Sequence, residues 1–337
     1  MRAVVLHEHG SNDQLVFDAR YRDPVPDAGE VVLRVRACSL NYHDIFTRRG
    51  MPGIKVPLPI VIGIDVAGEV VDLGAGVTGF ERGDRVLVDP IDRERGRLLG
   101  EAFDGGLAEY VRVPAHMLIP LDDAIGFAEA ASLPTAYGTA YRMMVTRGRI
   151  QSGEKVLILG ASGGVGTCCV QLAKLAGATV VACASSPQKL ARLSELGADI
   201  GIDYAATDWV AECHRQFGRA RLDPRKAGGL DVVINFTGGD TWVKSLQVLR
   251  KDGRMLTCGA TAGYDPPEDI RFIWTFELNI IGSNGWSRDD VLALLQMLKD
   301  GRLKPVLHPE RFPLERARDA MQALESRAFY GKIIVEP

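Results

Sequence analysis

The sequence predicts an α/β protein made of two parts, an irregular antiparallel β-barrel and a parallel β-sheet covered by helices. The chain has 337 residues, which is too long for one comfortable core and indicates two domains. Residues 1–120 contain short strand patterns separated by turns rich in glycine and proline. Beyond residue 124, strand and helix patterns alternate, which is typical of a parallel sheet with both faces covered.

The first part is predicted to be antiparallel because its apolar runs are short and separated by turn residues rather than by helices. The sequence contains no internal repeat. The predicted strands include Arg2–Leu6, Glu30–Cys38, Val66–Leu73 and Arg85–Val88.

The second part begins with Phe127–Val145, whose small and apolar residues fit helices, and continues with the alternating pattern. The segment His214–Gly229 is rich in arginine, lysine and glycine, and we predict a solvent-facing loop there. The predicted strands are Lys155–Leu159, Thr179–Ala184, Val232–Phe236 and Arg254–Cys258, and the predicted helices are Val165–Leu175, Pro187–Leu196 and Thr241–Leu249.

After residue 300 the pattern returns to that of the first part. Phe312–Leu314 and Lys332–Val335 resemble short strands, and Leu314–Leu324 between them resembles a helix. We therefore predict one domain formed by residues 1–123 and 300–337, and a second formed by residues 124–299.

Composition excludes several classes of function. The formal net charge of −3 argues against a nucleic-acid-binding surface, and no apolar run is long enough to span a membrane. The N-terminus becomes polar at once, so a cytoplasmic location is expected. The six cysteines form no C-x-x-C pair, so we predict free, buried thiols. The expected partner is a small-molecule substrate.

A glycine-rich turn is the strongest local signal. The strand pattern Lys155–Leu159 leads directly into this turn and then into a helix, which is the context of a dinucleotide-binding motif. Compared with G-x-G-x-x-G, the first glycine position is occupied by Ala161, and the other two by Gly163 and Gly166. A helix N-terminus presents unpaired N–H groups to phosphates. The predicted cofactor-binding residues are Ala161, Ser162, Gly163, Gly164, Val165 and Gly166.

The end of the next strand indicates which dinucleotide binds. NAD sites usually have an acidic residue there, which accepts a hydrogen bond from the ribose. This strand instead ends in Ser185 and Ser186, followed by Lys189. Small hydroxyls and a nearby cation suit a 2′-phosphate, so the sequence favours NADPH. Lys189 has the alternative of being an ordinary exposed lysine at a helix start.

Six segments carry a resemblance to a known family. They are GEVVLRVRACSLNYHD (29–44), PIVIGIDVAGEVVDLGAGVTGFERGDRV (59–86), GGLAEYVRVP (105–114), ASLPTAYGTAY (131–141), the glycine turn, and GADIGIDY (197–204). In this order and spacing they resemble the medium-chain dehydrogenase/reductase superfamily, and specifically its zinc-free quinone oxidoreductase branch. The resemblance implies a GroES-like β-barrel catalytic domain, a Rossmann NADPH-binding domain, and a homodimer formed through the Rossmann sheet edge near Asn279–Ser283.

The resemblance also implies roles for single residues. Members of this branch hold the 2′-phosphate with a lysine, a tyrosine and an arginine, which match Lys189, Tyr204 and Arg327. Thr135 matches the position that contacts the nicotinamide side of the cofactor.

The zinc ligands of related alcohol dehydrogenases have no counterpart in this sequence. Those enzymes use a cysteine in C-H-x-D and a histidine in G-H-E, whereas this chain has Asn41 and Ile64 at the two positions. Residues 89–104, which match the lobe that carries a second zinc in the family, contain no cysteine. The sequence therefore predicts no metal.

We interpret the sequence as that of an NADPH-dependent oxidoreductase that reduces a quinone or an activated alkene. Conjugated acceptors need only hydrogen-bond donors at the oxygen where charge develops. Asn41 and Tyr42 are the candidates to orient that oxygen or the nicotinamide ribose, and Asp44 is expected to hold their loop through backbone N–H groups.

Several alternatives stay open. Asn41 could instead be a turn residue, and Tyr42 could instead be a packing residue. His43 could be a proton source or simply a surface histidine. An alcohol dehydrogenase-type oxidoreductase and a redox-silent NADPH-binding protein are the alternative functions.

Overall fold

The computed structural model describes residues 1–327 and 329–337, and of Pro224 the backbone alone. Its contacts separate the chain into two compact units. The first consists of Met1–Ala136 and Val291–Pro337, and the second of Tyr137–Asp290. Both boundaries differ from the predicted 123/124 and 299/300. The first lies later because helix Phe127–Ala131 packs on strands of the first unit and Thr135 bonds to Asp65 there.

The N-terminal segment contains ten strands and two α-helices among its described residues. They are β1 (Ala3–Leu6), β2 (Leu15–Asp18), β3 (Glu30–Ser39), α1 (Tyr42–Arg49), β4 (Ile60–Val61), β5 (Asp65–Leu73), β6 (Arg85–Val88), β7 (Ile91–Asp92), β8 (Arg97–Leu98), β9 (Tyr110–Pro114), β10 (Leu118–Pro120) and α2 (Phe127–Ala131).

The segment that follows α2 is helical over most of residues 133–147, as predicted. Two stretches of wider π-helix, Leu133–Gly138 and Arg142–Arg147, flank the short helix α3 (Thr139–Tyr141). The alternating elements that follow are β11 (Lys155–Ile158), α4 (Gly164–Leu175), β12 (Thr179–Ala184), α5 (Pro187–Glu195), β13 (Ile200–Asp203), α6 (Trp209–Phe217), β14 (Leu230–Ile234), α7 (Thr241–Val248), β15 (Leu249–Thr257), α8 (Arg271–Thr275) and β16 (Asn279–Gly282).

The C-terminal segment completes the first unit. Its elements are α9 (Arg288–Lys299), which starts just before that unit, β17 (Leu307–Pro313), α10 (Ala317–Glu325) and β18 (Lys332–Glu336).

The first unit is built around a mainly antiparallel sheet in the order β10-β6-β5-β3-β18-β17, with β9 also pairing with β3. Along a strand with one buried face, buried and exposed side chains alternate. In β3, Leu33 and Val35 are buried, whereas Arg34 and Arg36 are exposed. The C-terminal strand β18 joins β3 in antiparallel register, with Ile334 opposite Ser39. The return of the chain to the first part, predicted from sequence, is therefore confirmed.

The second unit contains a parallel sheet in the order β13-β12-β11-β14-β15-β16. This is the doubly wound order 3-2-1-4-5-6 of dinucleotide-binding folds. The central strands are continuous apolar runs, such as Val156–Ile158 in β11, because helices cover both faces. The predicted strands and helices of this part are confirmed. The elements β13, α6 and α8 are additional, and β16 was expected only as the sheet edge that the resemblance implies.

The prediction of a loop over His214–Gly229 is wrong for its first four residues, which form the last turn of α6. The helix is held by the buried side chains of Trp209 and Cys213, whereas Arg215 is exposed. Arg215 there pairs with Glu212, one turn earlier, at 2.5 Å. Most of the segment's basic residues, namely Arg219, Arg221, Arg225 and Lys226, follow the end of the helix at Phe217.

The segment at residues 89–104 is held by ionic hydrogen bonds around Asp92, a fully buried residue. The carboxylate of Asp92 accepts from Arg97 Nη2 at 3.0 Å, from His116 Nε2 at 3.1 Å and from the backbone N–H of Arg95 at 3.2 Å. Burial raises the pKa of Asp92, but these bonds outweigh it and keep the pKa below its usual value.

The cysteines are free thiols, and all but the half-buried Cys258 are buried, which confirms the prediction. Over the residues that the structure describes, no helix has both the length and the apolar character that crossing a bilayer requires.

Candidate functional site

The glycine turn connects β11 to α4 in the second unit. Gly160 has a φ of +64°, a conformation that favours glycine, so the left-handed residue of the turn is Gly160 rather than Ala161 at the first motif position. Gly163 is the N-cap of α4, and the first intrahelical bond runs from Thr167 N–H to its carbonyl. The backbone N–H groups of residues 164–166 therefore have no partner inside the helix and point out of its N-terminus.

Two glycines of this turn have different surroundings. A Cβ atom added to Gly166 would lie 2.4 Å from the Gly160 carbonyl oxygen and 2.6 Å from backbone atoms of Ala161. A Cβ atom on Gly163 would meet only the Gly160 oxygen, at 3.7 Å. Gly166 thus allows the helix to pack against the turn, and Gly163 leaves open space at the helix N-terminus. This arrangement fits a pyrophosphate bound by backbone N–H groups.

The residues predicted to bind a 2′-phosphate gather at the carboxyl ends of β12 and β13. Ser186 is the N-cap of α5, and its hydroxyl accepts from the N–H of Lys189 at 3.3 Å. The N–H of Tyr204 donates to the carbonyl of Ala184 at 3.1 Å, which places Tyr204 beside Ser185. Ser185, Ser186 and Lys189 are half-buried, and Tyr204 is exposed.

One acidic residue lies close to this group. Asp203 ends β13 opposite Ala184, a neighbour that the sequence analysis did not consider. Its carboxylate accepts from the N–H of Ala205 at 2.9 Å and so serves the turn that follows.

Arg327 belongs to the first unit, in the turn after α10, where it has a φ of +57°. Its assignment to the 2′-phosphate stays a prediction that rests on the resemblance.

A buried polar network lies in the first unit and consists of Asn41, Asp65, Thr135 and Lys332. Asn41, just before α1, donates both hydrogens of its side-chain amide, to Asp65 Oδ2 at 2.8 Å and to the Ser39 carbonyl at 3.1 Å. Its amide oxygen accepts from Lys332 Nζ at 2.5 Å. The amide is therefore held at both ends by the protein.

Asp65 is the centre of this network. Its Oδ1 accepts from both the N–H and the hydroxyl of Thr135, at 3.1 and 2.7 Å. Its Oδ2 lies 3.6 Å from Lys332 Nζ, which also donates to the Leu40 carbonyl at 2.9 Å. The strand register brings these residues together, because Asp65 on β5 and Ile334 on β18 both lie opposite Ser39 on β3.

Burial changes the ionisation of the network. Asp65 is fully buried and Lys332 is 2% exposed. Burial raises the pKa of Asp65 despite the opposing charge of Lys332, and burial lowers the pKa of Lys332 despite Asp65 and Asp44. Each group is the principal counter-charge of the other.

Asp44 and Tyr42 lie on the first turn of α1. As predicted, the carboxylate of Asp44 accepts a backbone bond, from the N–H of Asn41 at 2.7 Å. Burial raises the pKa of Asp44 to about 6. The Tyr42 ring packs edge-on against Phe46, and its hydroxyl has no hydrogen-bond partner among the described residues.

Sequence reasoning missed Asp65 and Lys332 as site residues. Asp65 was considered only as part of a lost metal motif, and Lys332 only as the start of a strand. The available signal was a charged residue at the first position of a strand that is otherwise apolar, since Ile333, Ile334 and Val335 follow Lys332.

The residues at the family's metal position do not fit a zinc ion. Asn41 uses its amide within the buried polar network, and Ile64 is a buried alkyl side chain. Burial raises the pKa of the nearby Cys38 thiol well above its usual value, which disfavours the thiolate that zinc requires. Within the described ranges, no three potential metal ligands converge.

Two family models match the chain. Residues 27–123 match the alcohol dehydrogenase GroES-like domain, and residues 164–300 match the zinc-binding dehydrogenase domain. The first unit accordingly carries the GroES-like domain, and the second carries the Rossmann-type sheet. The predicted fold class is confirmed.

Individual proteins resemble the chain over its whole length. An NADPH-dependent alkenal/one oxidoreductase of Arabidopsis thaliana is 33% identical, and the match covers 100% of this chain and 80% of the relative. A 2-methylene-furan-3-one reductase of Solanum lycopersicum is 34% identical, with 100% and 79% covered. The crystal structure of an NAD-dependent alcohol dehydrogenase superposes with a TM-score of 0.90, at 34% identity and with 100% of both chains covered.

Proposed function

Because the chain belongs to the medium-chain dehydrogenase/reductase superfamily of oxidoreductases, we propose that it transfers hydride from NADPH to a quinone or an activated alkene without zinc. The observation that carries this proposal is the buried polar network at the position of the family's metal. An amide and an alkyl side chain replace two zinc ligands there, so the Lewis acid that polarises a simple alcohol or carbonyl lacks its donors.

A conjugated acceptor suits such a site. Addition of hydride to the β-carbon of an enone places negative charge on the carbonyl oxygen, and reduction of a quinone does the same. Hydrogen-bond donors are sufficient to stabilise that charge. The two plant reductases, whose names state an alkenal/one and a methylene-furanone substrate, support this class of acceptor.

On the acceptor side, three predicted residues contribute differently. The O–H group of Tyr42 donates to no described residue, so we propose that Tyr42 binds the acceptor oxygen. Both Asn41 amide hydrogens are already donated to protein groups, so Asn41 positions the loop rather than donating to substrate. Thr135 donates its hydroxyl hydrogen to Asp65 and keeps its oxygen lone pairs as acceptors for the nicotinamide side.

On the cofactor side, the chain offers the glycine turn for the pyrophosphate and a set of polar side chains for the 2′-phosphate. The N–H groups of residues 164–166 would bind the pyrophosphate. Ser185, Ser186, Lys189 and Tyr204 would hold the 2′-phosphate, and a role for Arg327 rests on the resemblance alone. NADPH supplies the hydride when bound. The relative from Arabidopsis thaliana that is named NADPH-dependent supports this choice of cofactor, whereas one structural neighbour is named an NAD-dependent alcohol dehydrogenase.

The edge of the parallel sheet supports the proposed homodimer. Strand β16 ends the described sheet order, and its Ile280 side chain is 38% exposed. An open apolar edge is suited to pairing with a second copy of the chain. Sedimentation that showed a monomer at micromolar concentration would contradict this proposal.

The proposed reaction is tested with the purified protein and a panel of quinones, enones and enoyl thioesters, by following NADPH oxidation. We expect turnover of at least one conjugated acceptor, no alcohol-dependent reduction of NADP, and no stoichiometric zinc by elemental analysis. Alcohol oxidation that a chelator abolishes would support an alcohol dehydrogenase instead. NADPH binding without turnover of any acceptor would support the redox-silent alternative.

Replacing Lys189 with alanine should weaken NADPH binding by about tenfold, or about 1.4 kcal/mol, and leave NADH binding nearly unchanged. The lysine is half-buried at the end of β12, where a charge-assisted bond to a 2′-phosphate is partly screened by water. Calorimetric titration with both cofactors measures the difference. Lys174→Ala is the control, because Lys174 is an exposed lysine on α4 that pairs with Asp199. Equal losses for NADPH and NADH would remove Lys189 from the phosphate site.

A further inference from the structure

A histidine–glutamate pair adjoins the buried polar network. His43, on the first turn of α1, places Nε2 at 2.5 Å from Oε2 of Glu101. The side chains of His43 and Glu101 are 32% and 22% exposed. The second ring nitrogen, Nδ1, has no hydrogen-bond partner among the described residues. Glu101 thus holds Nε2 of His43, whereas Nδ1 is available to bind a ligand.

The loop that carries Glu101 packs against the chain segment that leads to Asp65. A Cβ atom on Gly100 would lie 2.9 Å from backbone atoms of Gly63, and the N–H of Gly106 donates to the Gly63 carbonyl at 2.8 Å. His43 itself is two residues from Asn41. His43 and Glu101 therefore lie on chain segments that adjoin those of Asn41 and Asp65, two members of the buried polar network.

We propose that His43, oriented by Glu101, is the residue that donates the proton completing the reduction of the acceptor. This inference rests on the function proposed above and supplies a proton donor for it. Of the groups on the first turn of α1, Asp44 is completely buried and its carboxylate serves the backbone, so it has no path for exchange with water. His43 is partly exposed and can be protonated again from solvent after each turnover.

The charges around His43 favour its protonated form. Burial lowers the pKa of His43, but the hydrogen bond to Glu101 and the charges of Glu101 and Asp44 outweigh burial, so the pKa lies above its usual value. A histidine that is cationic near neutral pH can act as a general acid. Once the proton has left, the neutral ring still donates Nε2–H to Glu101, which keeps its orientation.

The proposed step balances as follows. Hydride supplied by NADPH, which is oxidised to NADP⁺, adds to the β-carbon of the acceptor, and the π electrons move to the carbonyl oxygen to form an enolate. The N–H bond at Nδ1 of His43 breaks, and its proton forms an O–H bond with the enolate oxygen. The enol isomerises in water to the saturated carbonyl product, and water returns a proton to His43. A quinone takes its proton in the same way.

The first test needs neither cofactor nor substrate. NMR titration of the histidine rings in the cofactor-free protein should show His43 titrating above the usual histidine value of about 6.5 in the wild type. The E101Q variant should titrate at lower pH, because the charge that favours the cation is removed. An unchanged titration in E101Q would contradict the pairing on which the proposal depends.

The second test is kinetic and uses His43→Gln, which keeps an amide near Glu101 but has no titratable proton. We expect kcat to fall by about 100-fold or more, with NADPH affinity unchanged. In the wild type the rate should fall as pH rises through the pKa of His43. This alkaline decline should move to lower pH in E101Q and disappear in H43Q.

His214→Gln is the matched control, because His214 is also a partly exposed histidine with one ring nitrogen held, at 3.0 Å from the Gln247 carbonyl oxygen, and it lies on α6 in the second unit. Its kcat and pH profile should equal those of the wild type. If the wild type is active and H43Q has the same kcat and pH profile, the role of His43 is overturned and the proposed function is not affected. A wild type that reduces no acceptor would defeat the proposed function, and this inference with it.

Discussion

Replacing Lys332 by methionine should lower the free energy of unfolding by about 3–5 kcal/mol, the usual cost of removing one partner from a buried ion pair. Methionine fills a similar volume but leaves the buried Asp65 carboxylate without its counter-charge at 3.6 Å. The Asn41 amide oxygen and the Leu40 carbonyl also lose their donor. Denaturant unfolding followed by circular dichroism measures the loss.

The control is Lys299→Met, which breaks the ion pair between Lys299 and Asp122 in the same unit. Lys299 is 53% exposed and its partner 37%, so a loss of about 0–1 kcal/mol is expected. A double variant, K332M with D65N, should recover part of the stability, since removing both charges is far less costly than removing one. If K332M proved as stable as K299M, the buried polar network would not stabilise the fold in the way we infer.

The loss in K332M should depend on pH with a defined sign. Without Lys332, burial raises the folded-state pKa of Asp65 further above its unfolded value, which is about 3.9. An acid with a raised folded pKa destabilises the fold increasingly as pH rises from the unfolded pKa through the folded pKa. The difference between K332M and the wild type should therefore be smaller at about pH 4 than at about pH 8.

Replacing Gly166 by alanine should destabilise the second unit by about 3 kcal/mol, at or above the usual upper range for overpacking. The added methyl group would lie 2.4–2.6 Å from backbone atoms of Gly160 and Ala161, so α4 has to move away from the turn. Because the N–H groups of the helix move with it, NADPH binding should fall as well. Thermal unfolding and calorimetric titration measure the two effects.

Gly163→Ala separates stability from binding in the same turn. The backbone there has φ −83° and ψ 177°, which alanine adopts without strain, and the nearest atom to a Cβ lies at 3.7 Å. Stability should therefore change by less than about 0.5 kcal/mol. The methyl group enters the space predicted for the pyrophosphate, so NADPH should bind about tenfold more weakly, or about 1.4 kcal/mol. Normal NADPH binding by G163A would place the cofactor elsewhere.

Most of the parallel sheet and its cofactor turn could be predicted because their signals are local. Apolar runs such as Val156–Ile158 alternate with helical patterns, and the glycines of one short segment determine a turn and the start of a helix. The elements β13 and α6 were missed because their apolar residues are few and separated by polar ones. In α6, two buried residues, Trp209 and Cys213, hold the helix.

On the acceptor side, the sequence indicated which residues stand at the family's metal position but not what they do there. Asn41 was expected to bind substrate or cofactor, yet its amide is taken up by Ser39, Asp65 and Lys332. Lys332 is far from Asn41 along the chain, and only the pairing of β18 with β3 brings the two together.

By itself, the sequence determined the α/β class, the alternating strands and helices, and the phosphate-binding turn, because each depends on contiguous residues with a fixed period or spacing. Only the tertiary structure decided the partners of Asp65, Lys332, His43 and Glu101. A hydrogen bond between distant residues depends on strand register and loop packing within a fraction of an ångström, and these are properties of the folded unit as a whole.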